Sequence, residues 1–196
     1  FLVMTTLATT LAAGAVAGFT LAFTVLQIPI GVVGVPLGIV LLPSLAQATA
    51  LGDVDRFGRL LRRALGLLVF VMLGISALGI VLADEAVRIL FGHGGLDERT
   101  LAATAAATSV FLLGLTAHSV IAVLARAFYA RQDTLTPVVA ALAVVALDAA
   151  LAVAFVGPLG LSGLALAIAI GAWVEAVALA TLLRRRIPQL SFSPVV

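Results

Sequence analysis

The sequence predicts an all-α membrane protein, a polytopic helical bundle, and three observations carry that reading. Apolar residues make up 63% of the 196-residue chain, charged residues only 10%, and mean hydropathy is +1.29. A soluble domain has roughly 45–50% apolar and about 25% charged residues. The apolar residues come in continuous runs, close to the ~20 residues a spanning helix needs, without the period-two alternation of a membrane strand. The arginines fall between or beyond those runs. A soluble fold of this size has no core large enough for so much apolar surface, whereas a bilayer acts as its solvent.

Six apolar segments follow in order, at residues 1–13, 16–47, 64–82, 101–125, 136–156 and 161–183, with a tail at 187–196. Phe1 already lies inside an apolar run, with no initiator Met, basic n-region or small-residue cleavage site. The chain therefore reads as starting partway through a transmembrane helix of a longer protein. Gly14 marks the turn into the second segment, which Pro29 and Pro36 interrupt. Each proline removes a backbone donor and crowds the preceding turn, so this segment is expected to bend near its middle. Gly31 and Gly34 lower the cost of bending, which makes Pro29, Pro36, Gly31 and Gly34 a candidate hinge, with a static kink as the alternative. Gln27, just before Pro29, is expected to face the interior of the bundle.

Arginine placement orients the segments. Arg56, Arg59, Arg62 and Arg63 lie between segments two and three, Arg126 and Arg131 between four and five, and Arg184, Arg185 and Arg186 after six. These are alternate connections, so nine arginines share one side, the cytoplasmic side by the positive-inside rule. The opposite side carries only Arg88 and Arg99, with Asp84, Glu85, Asp97 and Glu98. The connection at 52–63 reads as a short interfacial helix that Asp53 caps, its Arg56, Arg59, Arg62 and Arg63 face meeting anionic lipid. Direct contact of that face with a phosphorylated substrate is the sharper alternative.

Two acids sit within apolar segments, Asp148 in the fifth and Glu175 in the sixth. A charge near the bilayer centre costs at least about 2.5–3.5 kcal/mol, so such residues face protein or water. Gly163, Ala167 and Gly171 precede Glu175 at four-residue steps, a small-residue stripe suited to close packing that turns Glu175 into the bundle. Counted from the 157–160 turn, the two acids differ in depth by roughly 9 Å, too much for a shared-proton pair. Each is a candidate ion or substrate pathway residue, or a neutral group joining helices. Arg126, at the cytoplasmic end of segment four, is placed to reach Glu175 or a lipid phosphate. In the next connection Asp133 is expected to cap segment five, with Pro137 in its first turn.

His118 lies alone in segment four and reads as a packing residue; His93 lies in the outer Gly92–Gly95 turn. The chain has no cysteine, no metal-ligand spacing, no phosphate-binding glycine loop and no nucleophile–base constellation. The arginines form short clusters between apolar spans, which excludes a nucleic-acid footprint. Neither an enzyme nor a cofactor or metal is expected. The arginine-only basic set, with abundant Ala, Leu, Val and Gly, points to a GC-rich bacterial genome.

Three stretches carry a family resemblance. The first is Leu26-Gln27-Ile28-Pro29-Ile30-Gly31-Val32 running on to Gly38-Ile39-Val40-Leu41-Leu42-Pro43-Ser44-Leu45. The second is Ala125-Arg126-Ala127-Phe128-Tyr129-Ala130-Arg131-Gln132-Asp133-Thr134 with Thr136-Pro137-Val138. The third is Gly157-Pro158-Leu159-Gly160 followed by Ser162-Gly163-Leu164-Ala165-Leu166-Ala167. In sequence, order and spacing they resemble the MurJ/MviN flippases, over about residues 1–186. The resemblance implies a fourteen-helix transporter of two six-helix lobes around a central cavity, with this chain as the second lobe. It further implies a bacterial cytoplasmic-membrane protein that flips the undecaprenyl-linked precursor lipid II by alternating access, together with a missing N-terminal lobe. Gln27, Asp148, Glu175 and Arg126 would then line the substrate or ion pathway. One position departs from the family pattern. Three residues before the position matching Gln27, family members carry a cavity base, and here that residue is Thr24. Another polyprenyl-linked glycan, another amphipathic substrate, or a non-transporting scaffold are the alternatives that the departure leaves open.

Overall fold

In a computed structural model, residues 2–11, 14–93 and 95–187 are described, and among them the secondary structure is helical throughout. The elements are α1 (Leu2–Ala8), α2 (Ala15–Pro29), a π-helical turn (Ile30–Gly34), α3 (Val35–Ala50), α4 (Val54–Val81), α5 (Ala83–Phe91), α6 (Glu98–Leu113), α7 (Leu115–Ala130) and α8 (Leu135–Arg186). The tail beyond Ile187, and residues 1, 12 and 13 of the first segment, lie outside the described residues.

Three continuous helical stretches are long and apolar enough to cross a membrane, at Ala15–Ala50, Val54–Val81 and Leu135–Arg186; the pair α6–α7 makes a fourth, bent by 45°. Ala15–Ala50 would extend about 54 Å as a straight helix, well beyond a hydrocarbon core of about 30 Å.

The segment with Pro29 and Pro36 solves its backbone problem by a π turn. The amide of Val35 bonds back to the carbonyl of Ile30, five residues earlier. This inserts one residue into the helical count, next to two prolines that cannot donate at all. The buried face shifts accordingly. Before the turn it runs through Ala15, Phe19, Ala22 and Leu26; after it, through Gly34, Gly38, Leu41, Leu45 and Ala48. Continued α-helical spacing from Leu26 would have placed Val33 and Leu37 inside instead.

Three expectations need correction, and the fourth segment gains a bend. The arginine-rich 52–63 stretch is not a separate interfacial helix: Val54 starts α4, which runs unbroken to Val81. Nothing in that stretch breaks a helix, and Phe57, Gly58, Leu61 and Ala64 continue the buried stripe of Leu68 and Met72. The fourth segment is not one straight helix, since Gly114 separates α6 from α7. The break between segments five and six is shorter than a 157–160 turn. Helical geometry continues to Gly160, whose φ of 56° and ψ of −131° alone reverse the chain, a conformation that glycine adopts at little cost. Gln27 is exposed on the outer face of α2 and does not point into this chain's core.

Charged side chains gather at both ends of the bundle. At one end Arg186 pairs with Asp133, and a cleft of about 220 Å³ brings Thr49, Asp53 and Phe57 together with Arg131. At the other, Arg88 is held by Asp84 and Glu98, and Gly14, Arg99 and Gly160 line one cleft. The core joins all the long helices through Phe19, Leu26, Leu45, Leu68, Phe111, Leu124, Leu164 and Leu179.

Candidate functional site: broken helices and buried polar groups

The two interrupted segments pack on each other, α2 against α6 and α3 against α7. Near the outer end, Gly14 just before α2 and Gly18 within it leave room for Thr100 and Thr104 of α6. A Cβ on Gly14 would stand 2.8 Å from Thr100 Oγ1, and one on Gly18 would stand 2.7 Å from Thr104 Oγ1. Further in, Phe19, Phe23 and Phe111 pack ring on ring, Phe111 lying 5.7 Å from each of the other two. Beyond the breaks, Gly34 faces Ser119, and Gly38 faces Arg126.

The Gly114 bend has its own polar support. Two carbonyls at the end of α6 are met from outside: Ser76 Oγ of α4 donates to Leu112 O at 2.5 Å, and Trp173 Nε1 of α8 donates to Leu113 O at 3.0 Å. A Cβ at Gly114 would come within 3.0 Å of the Ala169 backbone, so α7 leaves the bend pressed onto α8. Just past it, Thr116 Oγ1 and His118 Nε2 are buried without a hydrogen-bond partner among the described residues. Sequence reasoning missed this arrangement. Gly114 sits in an apolar run among other glycines, and its partners come from Ser76 and Trp173, far away in the chain. The four-residue spacings Gly14–Gly18 and Thr100–Thr104 were signals that could have been read as a helix contact.

Arg126 is half-buried, its Nη1 donates to Ala122 O at 2.9 Å, and its Nε would lie 2.9 Å from a Cβ at Gly38. It therefore lies across α3. Sequence reasoning also allowed it to reach Glu175. No ion pair forms between the two among the described residues.

Asp148 and Glu175 lie on the two limbs of the α8 hairpin, and both are half-buried. Asp148 Oδ1 is buried without a partner among the described residues and presses on Gly171, where a Cβ would overlap it. Asp148 is thus level with Gly171, and Glu175 stands one turn further along, about 6 Å by helical rise. No hydrogen bond joins the two carboxyls among the described residues. Between the limbs runs an apolar groove of about 600 Å³, from Arg186 and Thr136 at the arginine-rich end to Val144 and Leu147 beside Asp148.

The remaining candidates stand apart from this constellation. Asp53 caps α4, accepting from the Arg56 amide at 2.8 Å, while the Arg56 side chain donates to Gln47. Arg59 and Arg63 are exposed. Pro36 and Gly31 are exposed at the π turn, and nothing stands within 4 Å of a Cβ at Gly31. Thr20 and Thr24 bond to the carbonyls four residues before them, forming with Gln27 an uncharged polar strip on the exposed face of α2. Asp133 accepts from the Thr136 amide and hydroxyl at 3.0 and 2.8 Å, as expected of a cap, and also from Arg186.

Comparison with known proteins places these features in a family. The family profile described as "Lipid II flippase MurJ" matches residues 1–195. A "Probable lipid II flippase MurJ" of Rhizobium tropici is 34% identical over 173 residues, covering 88% of this chain and 32% of that protein. The "Lipid II flippase MurJ" of Burkholderia cenocepacia is 33% identical over 186 residues, covering 94% and 36% respectively. The chain thus spans about a third of the length of the curated relatives it matches. A solved structure titled "Lipid II flippase MurJ, inward closed conformation" superimposes with a TM-score of 0.81 at 21% identity, over 93% of this chain and 38% of that one, which shows the shared fold. With a family match along nearly its whole length, this chain belongs to the lipid II flippase MurJ family of membrane proteins.

Proposed function

We propose that this chain is one lobe of a transporter, not an enzyme, that moves lipid II across the bacterial cytoplasmic membrane by alternating access. A second lobe, N-terminal to it in the same protein, would complete the transporter. The observation that carries the reading is the family match over residues 1–195. The geometry adds a mechanism: two interrupted helices packed side by side, each with its break near mid-length, form a pair that can change bend together. Pro29, Pro36, Gly31 and Gly34 provide one break and Gly114 the other.

In this reading Gln27 faces the pathway between the lobes, since an unbonded amide in mid-segment belongs in water or protein and not in lipid. Arg126 lines the cytoplasmic approach. Asp148 and Glu175 are coupling or cavity-lining carboxyls, and Arg59 and Arg63 hold the cytoplasmic surface against anionic lipid. Replacing the essential flippase of a test bacterium with the full-length parent gene tests the function. Sustained growth and precursor translocation are expected; their failure despite good membrane expression overturns it.

A second substrate, another polyprenyl-linked glycan, is favoured by the neutral strip Thr20, Thr24 and Gln27, which offers hydroxyl and amide groups and no cation. Rescue of a glycan exporter mutant, with no rescue of the flippase mutant, would select that reading.

A further inference from the structure

Three helices start at the outer end of the bundle: α2 after Gly14, α6 after Asp97, and the second limb of α8 after Gly160. Their first residues line one cleft of about 500 Å³, with Gly14, Asp97, Arg99, Thr100, Gly160 and Ser162 in its walls. Small-ligand pockets are commonly about 300–1,000 Å³.

A helix start leaves its first amides without intrahelical partners and carries about half a positive charge. No side chain caps α2 or α6. Thr100 gives an independent indication of a ligand. It is only 9% exposed, its Oγ1 makes no hydrogen bond among the described residues, and that oxygen lies in the cleft wall against Gly14. Arg99 makes no ion pair among the described residues, whereas nearby Arg88 is held by both Asp84 and Glu98. Asp97 places a carboxylate in the same wall, unused as a cap. The cleft therefore offers an anion one arginine, one buried hydroxyl and helix-start amides, and it offers a cation one carboxylate. It opens at the end opposite the nine arginines, the outer end by the positive-inside rule.

We propose that this cleft binds a zwitterionic phosphoethanolamine lipid headgroup, its phosphate on Arg99, the Thr100 hydroxyl and the first-turn amides of α2 and α6, its ammonium on Asp97. The proposal rests on the membrane orientation alone and not on which substrate is carried.

The test is lipid retention by the full-length protein in native mass spectrometry, after equilibration with phosphatidylethanolamine, phosphatidylglycerol or inorganic phosphate. Phosphatidylethanolamine should be retained over phosphatidylglycerol. Arg99→Ala and Thr100→Val should each weaken retention about tenfold, the scale of losing a hydrogen bond to a charged group. Arg99→Lys should keep most of it, and Asp97→Asn should erase the preference between the two lipids. Thermal melting of each variant separates loss of binding from loss of fold, and the Arg99 pair settles the matter if Thr100→Val melts early. Equal retention of both lipids by the unaltered protein overturns the proposal. So does retention untouched by Arg99→Ala, or inorganic phosphate bound as tightly as the lipid.

Discussion

Trp173 Nε1 donates to the carbonyl of Leu113 across sixty residues of chain, at the bend that divides α6 from α7. Ser76 does the same for the neighbouring carbonyl of Leu112. A bend exposes carbonyls that a straight helix would satisfy, and inside a membrane no water replaces the lost partners. Trp173→Phe keeps the ring and removes the donor; Ser76→Ala leaves a buried acceptor empty. Ser76→Ala should cost about 1–3 kcal/mol and the partly exposed Trp173 bond about 0.5–1.5 kcal/mol. Hydrogen exchange at the amides of residues 114–118 should accelerate in both, with the larger change in Ser76→Ala. Unchanged exchange in the double variant would show that the bend is held by packing against Ala169 alone.

The Asp148–Gly171 contact gives a second prediction. A methyl at Gly171 overlaps Asp148 Oδ1 and comes within 3.0 Å of Val144 Cγ1. The limbs of the α8 hairpin must then part, so Gly171→Ala should lower stability by about 1–3 kcal/mol, the usual cost of overpacking. Adding Asp148→Ala removes the obstructing carboxyl, and thermal melting of the double variant should recover most of the loss. If the single and double variants melt alike, Val144 and not Asp148 sets the spacing.

Glycines at the first break differ in a way that separates hinge from packing. Nothing stands near Gly31, so Gly31→Ala should stabilise the helix by roughly 0.5–1 kcal/mol. If the π turn is a working hinge, the same change should slow transport while raising the melting temperature. Gly38 is different, because Arg126 lies across it. Gly38→Ala should be nearly neutral, since a flexible arginine can shift a few tenths of an ångström. Gly38→Leu should displace the guanidinium and reduce complementation without loss of the protein from the membrane. Full transport by Gly31→Ala would reduce the π turn to a static kink.

What the sequence disclosed and what it hid divide along physical lines. The Asp53 and Asp133 caps were legible because a cap involves residues three apart. The arginine clusters located the bundle ends because charge placement in a membrane follows from solvation. The gap between the fifth and sixth apolar segments placed the α8 reversal at 157–160, but its sharpness depends on a single φ. The Gly114 bend was illegible, since Gly66, Gly74 and Gly79 look the same in sequence and stay helical. Its cause lies in Ser76, Ala169 and Trp173, which only the tertiary fold brings together. Gln27 was misplaced for another reason: a polar residue in a membrane segment must avoid lipid, yet the shelter need not come from its own bundle.

Asp133 yields a pH prediction outside the membrane-spanning segments. Its carboxylate accepts from the Thr136 amide and hydroxyl and pairs with Arg186, tying the start of α8 to its end. Burial pushes its pKa up, but the Thr136 bonds and the Arg186 charge outweigh it, so the folded value falls below the ordinary 3.8. A group with a lowered folded pKa binds its proton more readily when unfolded. Its stabilising contribution is therefore complete above the unfolded value and fades as pH drops through the folded one. Between pH 7 and about 5 the tie should persist; below pH 4 the melting temperature should fall further in the parent than in Asp133→Asn. Arg186→Ala should reduce that difference without abolishing it, because the two Thr136 bonds remain. Identical acid profiles for the parent and Asp133→Asn would show that this carboxylate contributes nothing to holding the hairpin closed.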